Sequence, residues 1–122
     1  MKRLTKPAGK RSPQKYPPNR SVAVDVDGTL HSHGVPREAT IRLCRDLKAR
    51  GFDLFLWSAR GAEYAARVAK DLGIEELFST FLTKPGYIID DDGCRWIRFT
   101  RRLSPTSGVE AREVDSDLGD HT

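Results

Sequence analysis

Cysteine is scarce. Cys44 and Cys94 are the two in 122 residues, too few and too far apart for a disulfide framework, so they read as reduced, semi-buried side chains. His31 and His33 lack the spacing and partners of a zinc site. No apolar stretch approaches the roughly 20 residues that a membrane span requires, and the basic start is not followed by the apolar segment of a secretory signal. A cytoplasmic protein with no membrane partner is the expectation. Acidic residues are missing from positions 1–20, where Lys2, Arg3, Lys6, Lys10, Arg11, Lys15 and Arg20 stand among Pro7, Pro13, Pro17 and Pro18. Basic residues are nearly missing from the other end, where Glu110, Glu113, Asp115, Asp117 and Asp120 face Arg112 alone. Both ends are poor in apolar side chains and cannot offset the entropy of ordering. The sequence therefore divides into a flexible basic arm (1–20), a folded domain (21–103) and a flexible acidic tail (104–122).

What is present lies between Val22 and Phe99, where most of the 38% hydrophobic residues gather. Ser21–Val26 is a Val-rich run that reads as a buried parallel strand. Pro36 and Arg37 open a helix with Ile41, Leu43, Cys44 and Leu47 near helical spacing, stopped by Gly51. Phe52–Trp57 reads as a second strand, with Trp57 in the core. Gly61–Leu72 reads as a second helix, with Tyr64, Ala65, Val68 and Leu72 on one face and Gly73 as its cap. Leu77–Leu82 is expected to hold a short third strand and Tyr87–Asp90 a fourth. A turn at Asp92–Gly93 precedes a last strand, Arg95–Thr100, in which Trp96, Ile97 and Phe99 are expected to pack. Alternating strands and helices imply an α/β Rossmann-like three-layer sandwich, its mostly parallel central sheet covered on both faces. Such sheets bind ligands at the carboxyl ends of their strands.

Residues with chemistry fall at those ends. The first strand runs into Asp25-Val26-Asp27-Gly28-Thr29, the second ends at Ser58, Lys84 follows the third, and the fourth ends in Asp90-Asp91-Asp92. Two carboxylates two positions apart, roughly 6–7 Å along a strand, can share a cation, or one can attack while the other handles protons. Gly28 and Thr29 allow a sharp turn and offer amide donors to an anion.

Val24-Asp25-Val26-Asp27-Gly28-Thr29-Leu30 resembles the first motif of the haloacid dehalogenase-like hydrolase superfamily. Trp57-Ser58-Ala59-Arg60 resembles its second, Thr83-Lys84-Pro85 its third and Ile88-Ile89-Asp90-Asp91 its fourth. The resemblance covers about residues 21–99. It implies a phosphatase with Asp25 as nucleophile, Asp27 as acid and base, Ser58 as hydrogen-bond donor to a phosphoryl oxygen and Lys84 as counter-charge. Gly28, Thr29, Ala59 and Arg60 would complete the substrate site. Asp91, with Asp90, would hold Mg2+, assisted by Asp25 and the backbone carbonyl of Asp27. Only five residues separate Lys84 from Asp90, where many relatives place a helix, and Arg60 is the stand-in should Lys84 point elsewhere. Neither the loop from Leu30 to Pro36 nor the chain after the second motif has room for a cap domain.

The physics is consistent with that chemistry. Transfer spreads negative charge over three phosphoryl oxygens, so positioning and cations supply most of the catalysis. An open, capless site suits a large phosphorylated substrate, or a small molecule enclosed by a second copy in a homo-oligomer. The basic arm, with Arg95, Arg98, Arg101 and Arg102, adds the alternative of a polynucleotide 3′- or 5′-end phosphatase. Salt-sensitive binding of oligonucleotides, lost on removal of residues 1–20, would mark it. The alternative from another class is a non-catalytic binding module, marked by magnesium binding without hydrolysis of any phosphoester.

Overall fold

The computed structural model describes residues 19–119. Of the basic arm (1–20), residues 1–18 lie outside the described residues. Strand β1 (Ser21–Asp25) leads through a tight turn into a small antiparallel hairpin, β2 (His31–Ser32) and β3 (Val35–Pro36). Helix α1 (Glu38–Ala49), strand β4 (Asp53–Ser58), helix α2 (Ala62–Asp71) and strand β5 (Thr80–Thr83) follow. The main sheet has the order β1-β4-β5 and is parallel throughout. This is the expected α/β Rossmann-like class, with no cap domain among the described residues.

Local sequence accounts for the helices. In α1, Thr40, Ile41, Cys44 and Leu47 are buried, a spacing that puts one face against the sheet. In α2 the buried positions are Ala65 and Ala69, small side chains that let the helix approach closely. Both helices end alike. Gly51 (φ 91°) and Gly73 (φ 71°) take the left-handed conformation. Gly51 N–H bonds Lys48 O and Phe52 N–H bonds Leu47 O, while Gly73 N–H bonds Lys70 O and Ile74 N–H bonds Ala69 O. These are Schellman closures, and each drops a buried apolar residue, Phe52 or Ile74, into the core.

The two faces of the sheet differ. Register pairs Val22 with Leu54, Val24 with Leu56 and Leu56 with Phe81, so these residues share one face. Val24, Leu54 and Leu56 are buried there with Ile41, Cys44, Leu47, Ala65 and Ala69. The opposite face carries Ala23, Phe55, Trp57 and Leu82, which are half-buried or exposed. Helical cover is concentrated on the first. Burial pushes the Cys44 thiol up to about 12, an unreactive side chain, whereas Cys94 is exposed and not semi-buried as expected.

Two expected strands are not formed. Tyr87–Asp90 forms no strand, and Tyr87 and Ile89 are exposed at 95% and 103%. The cause is reach. A parallel strand on the free edge of β1 would need a crossover of about a dozen residues from β5. The three residues between Thr83 and Tyr87 extend at most ~10 Å. Arg95–Thr100 is likewise no strand, because Arg95–Phe99 winds into a 3₁₀ turn after the left-handed Cys94. Trp96 and Ile97 remain exposed.

The acidic tail carries a third helix, α3 (Ala111–Gly119). Ala111 is buried in the core, with Val114 and Leu118 packed against it, an apolar stripe at i, i+3 and i+7. Asp115 accepts from Arg20 at 2.6 Å and Arg50 at 3.1 Å, and Asp117 from Arg101 at 3.0 Å. Hydrogen bonds from Arg20 and then Arg50 hold the Asp115 carboxyl below its ordinary 3.8. Stability from this clasp is therefore present above that ordinary value and lost as pH falls through the depressed one. Asp115→Asn is expected to lower the melting temperature at neutral pH and low salt, with a smaller difference in molar salt. Equal melting of both proteins at low salt would refute the clasp.

Candidate functional site

Pairing of the strands brings their carboxyl ends level. Asp25 is the register partner of Trp57, and Ser58 of Thr83. Asp27 lies two residues beyond Asp25, and Lys84 one beyond Thr83. The Lys84 amide bonds Ser58 O at 3.0 Å, which fixes the lysine beside β4. Its Nζ then reaches Asp25 Oδ1 at 3.1 Å and lies 5.9 Å from the centroid of the Trp57 ring. Thr29 Oγ1 donates a longer bond, 3.4 Å, to Asp25 Oδ2. The candidate nucleophile thus faces a cation while about a third of its side chain stays open to a substrate (36% exposed).

Ser58 is buried (3% exposed). Its Oγ accepts the Arg60 N–H at 2.9 Å, so the hydroxyl proton is turned away from that bond and can serve a phosphoryl oxygen. The first turn of α2 is tied across to β5, because Ala62 N–H donates to Thr83 Oγ1 at 2.9 Å. One threonine therefore sets Ser58-Ala59-Arg60 against Lys84, a role the sequence reading did not assign.

Asp27 is the most heavily partnered carboxylate of the site. Tyr64 donates its hydroxyl to Oδ1 at 2.6 Å, His31 Nε2 stands 3.0 Å from the same oxygen, and Arg60 Nη1 lies 3.5 Å from Oδ2. The histidine tautomer follows from its other nitrogen. Nδ1 accepts the Gly34 N–H at 3.0 Å, so Nε2 carries the proton and donates. Tyr64 first of all pulls the Asp27 carboxyl below its ordinary value; burial, next in size, opposes it, and His31 and Arg60 add smaller downward pulls. The same bond pushes the Tyr64 phenol up. Beside Asp27 a cavity of about 340 Å3 opens between the β2–β3 hairpin (His31, Ser32, His33), Arg60 of the loop after β4 and Tyr64 of α2. A second cavity of equal volume, bounded by Arg102 and Ser107, contains none of these residues.

Sequence reasoning set Tyr64 on one face of α2 with Ala65, Val68 and Leu72 and found no zinc-site spacing at His31, and gave neither a role at Asp27. The usable signals were the four-residue steps from Asp27 to His31 and from Arg60 to Tyr64. Gly28 does take a left-handed conformation, φ 80°, as a sharp turn requires. Its N–H, however, bonds His31 O, and that of Thr29 bonds Val26 O. Those amides close the turn and do not point to an anion, which corrects the expected donor role of Gly28 and Thr29.

Asp90 and Asp91 are not brought to the site as expected. They sit in the exposed segment after β5, where Asp90 Oδ1 accepts the Asp92 N–H at 2.7 Å. Among the described residues no group of three or more Asp, Glu, His or Cys side chains gathers as a metal centre, so the set Asp25, Asp27, Asp90 and Asp91 does not assemble. The physical reason is the missing fourth strand, which would have carried Asp90 and Asp91 beside β1. Asp25 and Asp27 remain together as hard oxygen donors, and magnesium can be held by one or two carboxylates with substrate phosphate oxygens.

A model of the haloacid dehalogenase-like hydrolase family matches residues 22–112, well over half of the chain and extending into α3. No curated protein and no solved structure matches the chain.

Thr83→Val should cost about 1 kcal/mol of stability, the net worth of one hydrogen bond, read as a lower denaturant midpoint. An unchanged midpoint would mean that Thr83 does not hold the first turn of α2.

Proposed function

Because the chain belongs to the haloacid dehalogenase-like hydrolase family, we propose that it hydrolyses phosphomonoesters through a covalent aspartyl phosphate on Asp25. The observation that carries this reading is the 3.1 Å pair of Lys84 Nζ with Asp25 Oδ1 where the parallel strands end. A surface ion pair has little worth for stability. At this position it lowers the repulsion between an attacking carboxylate and a dianionic phosphoryl group.

Asp25 attacks phosphorus in line with the leaving oxygen. As its O–P bond forms, the bond to the leaving group breaks, and the leaving oxygen keeps the electron pair and takes a proton from Asp27. Ser58 and Lys84 hold the phosphoryl oxygens meanwhile. Water then attacks phosphorus and gives its proton to the Asp27 carboxylate. The O–P bond to Asp25 breaks, which restores the carboxylate and frees inorganic phosphate. The donors around Asp27 favour its ionised form, the form this second half-reaction uses. Bound Mg2+ would be held by Asp25 and the backbone carbonyl of Asp27 and would neutralise charge on the phosphoryl oxygens. The cavity beside Asp27 lies at the small end of ligand pockets, which suits a small phosphorylated molecule or the terminal phosphate of a larger one.

The test is hydrolysis of an aryl phosphate with magnesium or with chelator. Turnover is expected with magnesium, lost in chelator and reduced to background by Asp25→Asn. Lys84→Ala is expected to lower kcat by about 10²–10³, the cost of removing one fixed electrostatic donor. A folded, magnesium-bound protein that leaves a broad panel of phosphoesters intact would sink the proposal and favour the binding-module reading.

A further inference from the structure

We propose that Tyr64 is a positioning residue for this reaction: its hydroxyl sets the Asp27 carboxylate against the leaving oxygen, and its ring seats the Arg60 guanidinium beside it. The inference rests on the reading of Asp27 as the acid and base.

Asp27 stands past the end of β1 with 46% of its side chain exposed. An exposed aspartate left alone samples several rotamers, and a proton donor that wanders forfeits much of the advantage of proximity. His31 cannot supply an outside reference, since it belongs to the same turn, four residues on. Tyr64 can. It rides on α2, whose next residue, Ala65, is fully buried in the core and whose first turn is tied to β5 through Thr83. Its 2.6 Å bond to Asp27 Oδ1 has the length of a strong charge-assisted contact. It passes the position of a helix packed on the sheet to a carboxylate on a loop.

The ring acts separately. The Arg60 guanidinium lies 3.9 Å from its centroid, a cation–π seat for a side chain otherwise 63% exposed. From there Arg60 Nη1 donates to the Tyr64 hydroxyl oxygen at 3.1 Å and reaches Asp27 Oδ2 at 3.5 Å. The phenol accepts from the arginine while it donates to the aspartate, an arrangement in which each bond strengthens the other. Arg60 and Tyr64 both face the cavity beside Asp27, where the leaving group would lie.

Two substitutions separate the functions. Tyr64→Phe removes the hydroxyl and keeps the ring, whereas Tyr64→Leu removes both. On an alkyl phosphomonoester, Tyr64→Phe is expected to lower kcat about tenfold with KM nearly unchanged, less than the 10²–10⁴ that acid–base catalysis as a whole contributes. On 2,4-dinitrophenyl phosphate, whose leaving oxygen needs no proton, the loss in kcat/KM, which reports transfer to Asp25 and not the later hydrolysis step, is expected to shrink. Tyr64→Leu should also raise KM, because Arg60 loses its seat. Adding Tyr64→Phe to Asp27→Asn should cost nothing further, since the hydroxyl acts through Asp27.

Equal losses of kcat/KM on both leaving groups, or full additivity with Asp27→Asn, would reduce Tyr64 to a structural role and overturn the inference. A Tyr64→Phe enzyme as fast as the wild type on the alkyl ester would overturn it alone, leaving the phosphatase reading intact. A wild-type protein with no turnover on either substrate would overturn both.

Discussion

Parallel pairing of β1 with β4 and of β4 with β5 is the constraint on which the rest depends. The ladder sets Val24 beside Leu56 and Leu56 beside Phe81, and burial of these side chains fixes the register. A slip by one residue would turn Val24, Leu54 and Leu56 outward together, at roughly 1.5–3 kcal/mol for each large side chain. The same register brings Asp25 level with Trp57 and Ser58 with Thr83. Position at the site is therefore a by-product of hydrophobic burial several residues away. The polar groups need no strong interaction of their own to be placed, and the exposed pair of Asp25 with Lys84 can be spared for a ligand.

Asp27 is held differently. It lies beyond the ladder, so its place depends on side chains from three segments: His31 from its own turn, Arg60 from the loop after β4, and Tyr64 from α2. Two of its three partners carry no formal charge, which leaves the carboxylate ion-paired to Arg60 alone and still strongly hydrogen-bonded. The group is oriented while still half open to water, so the desolvation that works against its ionised form is outweighed by its donors.

Much of this architecture was legible in the sequence because it is local. Short apolar runs and helical spacing gave β1, β4, α1 and α2 within a residue or two, and Gly51 and Gly73 end the helices where expected. The Asp25–Thr29 turn and Ser58 stand at strand ends as read. What failed was non-local. Ile88-Ile89 has strand composition, yet whether it can join the sheet depends on the path from β5, and three residues cannot cover it. Asp90 and Asp91 were misplaced with it. Acidity hid α3, where Ala111, Val114 and Leu118 form an apolar stripe among Glu and Asp. Tyr64 was read on the apolar face of α2, and it does pack against the core; what went unread is where its hydroxyl points. Nothing in helical spacing says that a phenol at the end of that face meets a carboxylate 37 positions earlier.

The clasp at Asp115 has a geometrical consequence. Arg20 immediately precedes β1, and Arg50 follows α1 just before β4 begins, so both mark the amino ends of the strands. Asp25, Ser58 and Lys84 lie at the carboxyl ends. Asp115 therefore gathers both extremities of the domain at the pole opposite the chemistry. Asn19 and Arg20 thus stand at that far pole, away from Asp25, Ser58 and Lys84. A partner or tether joined there would meet the candidate site only by doubling back along the length of the sheet, so its length, more than its charge, would decide whether it arrives.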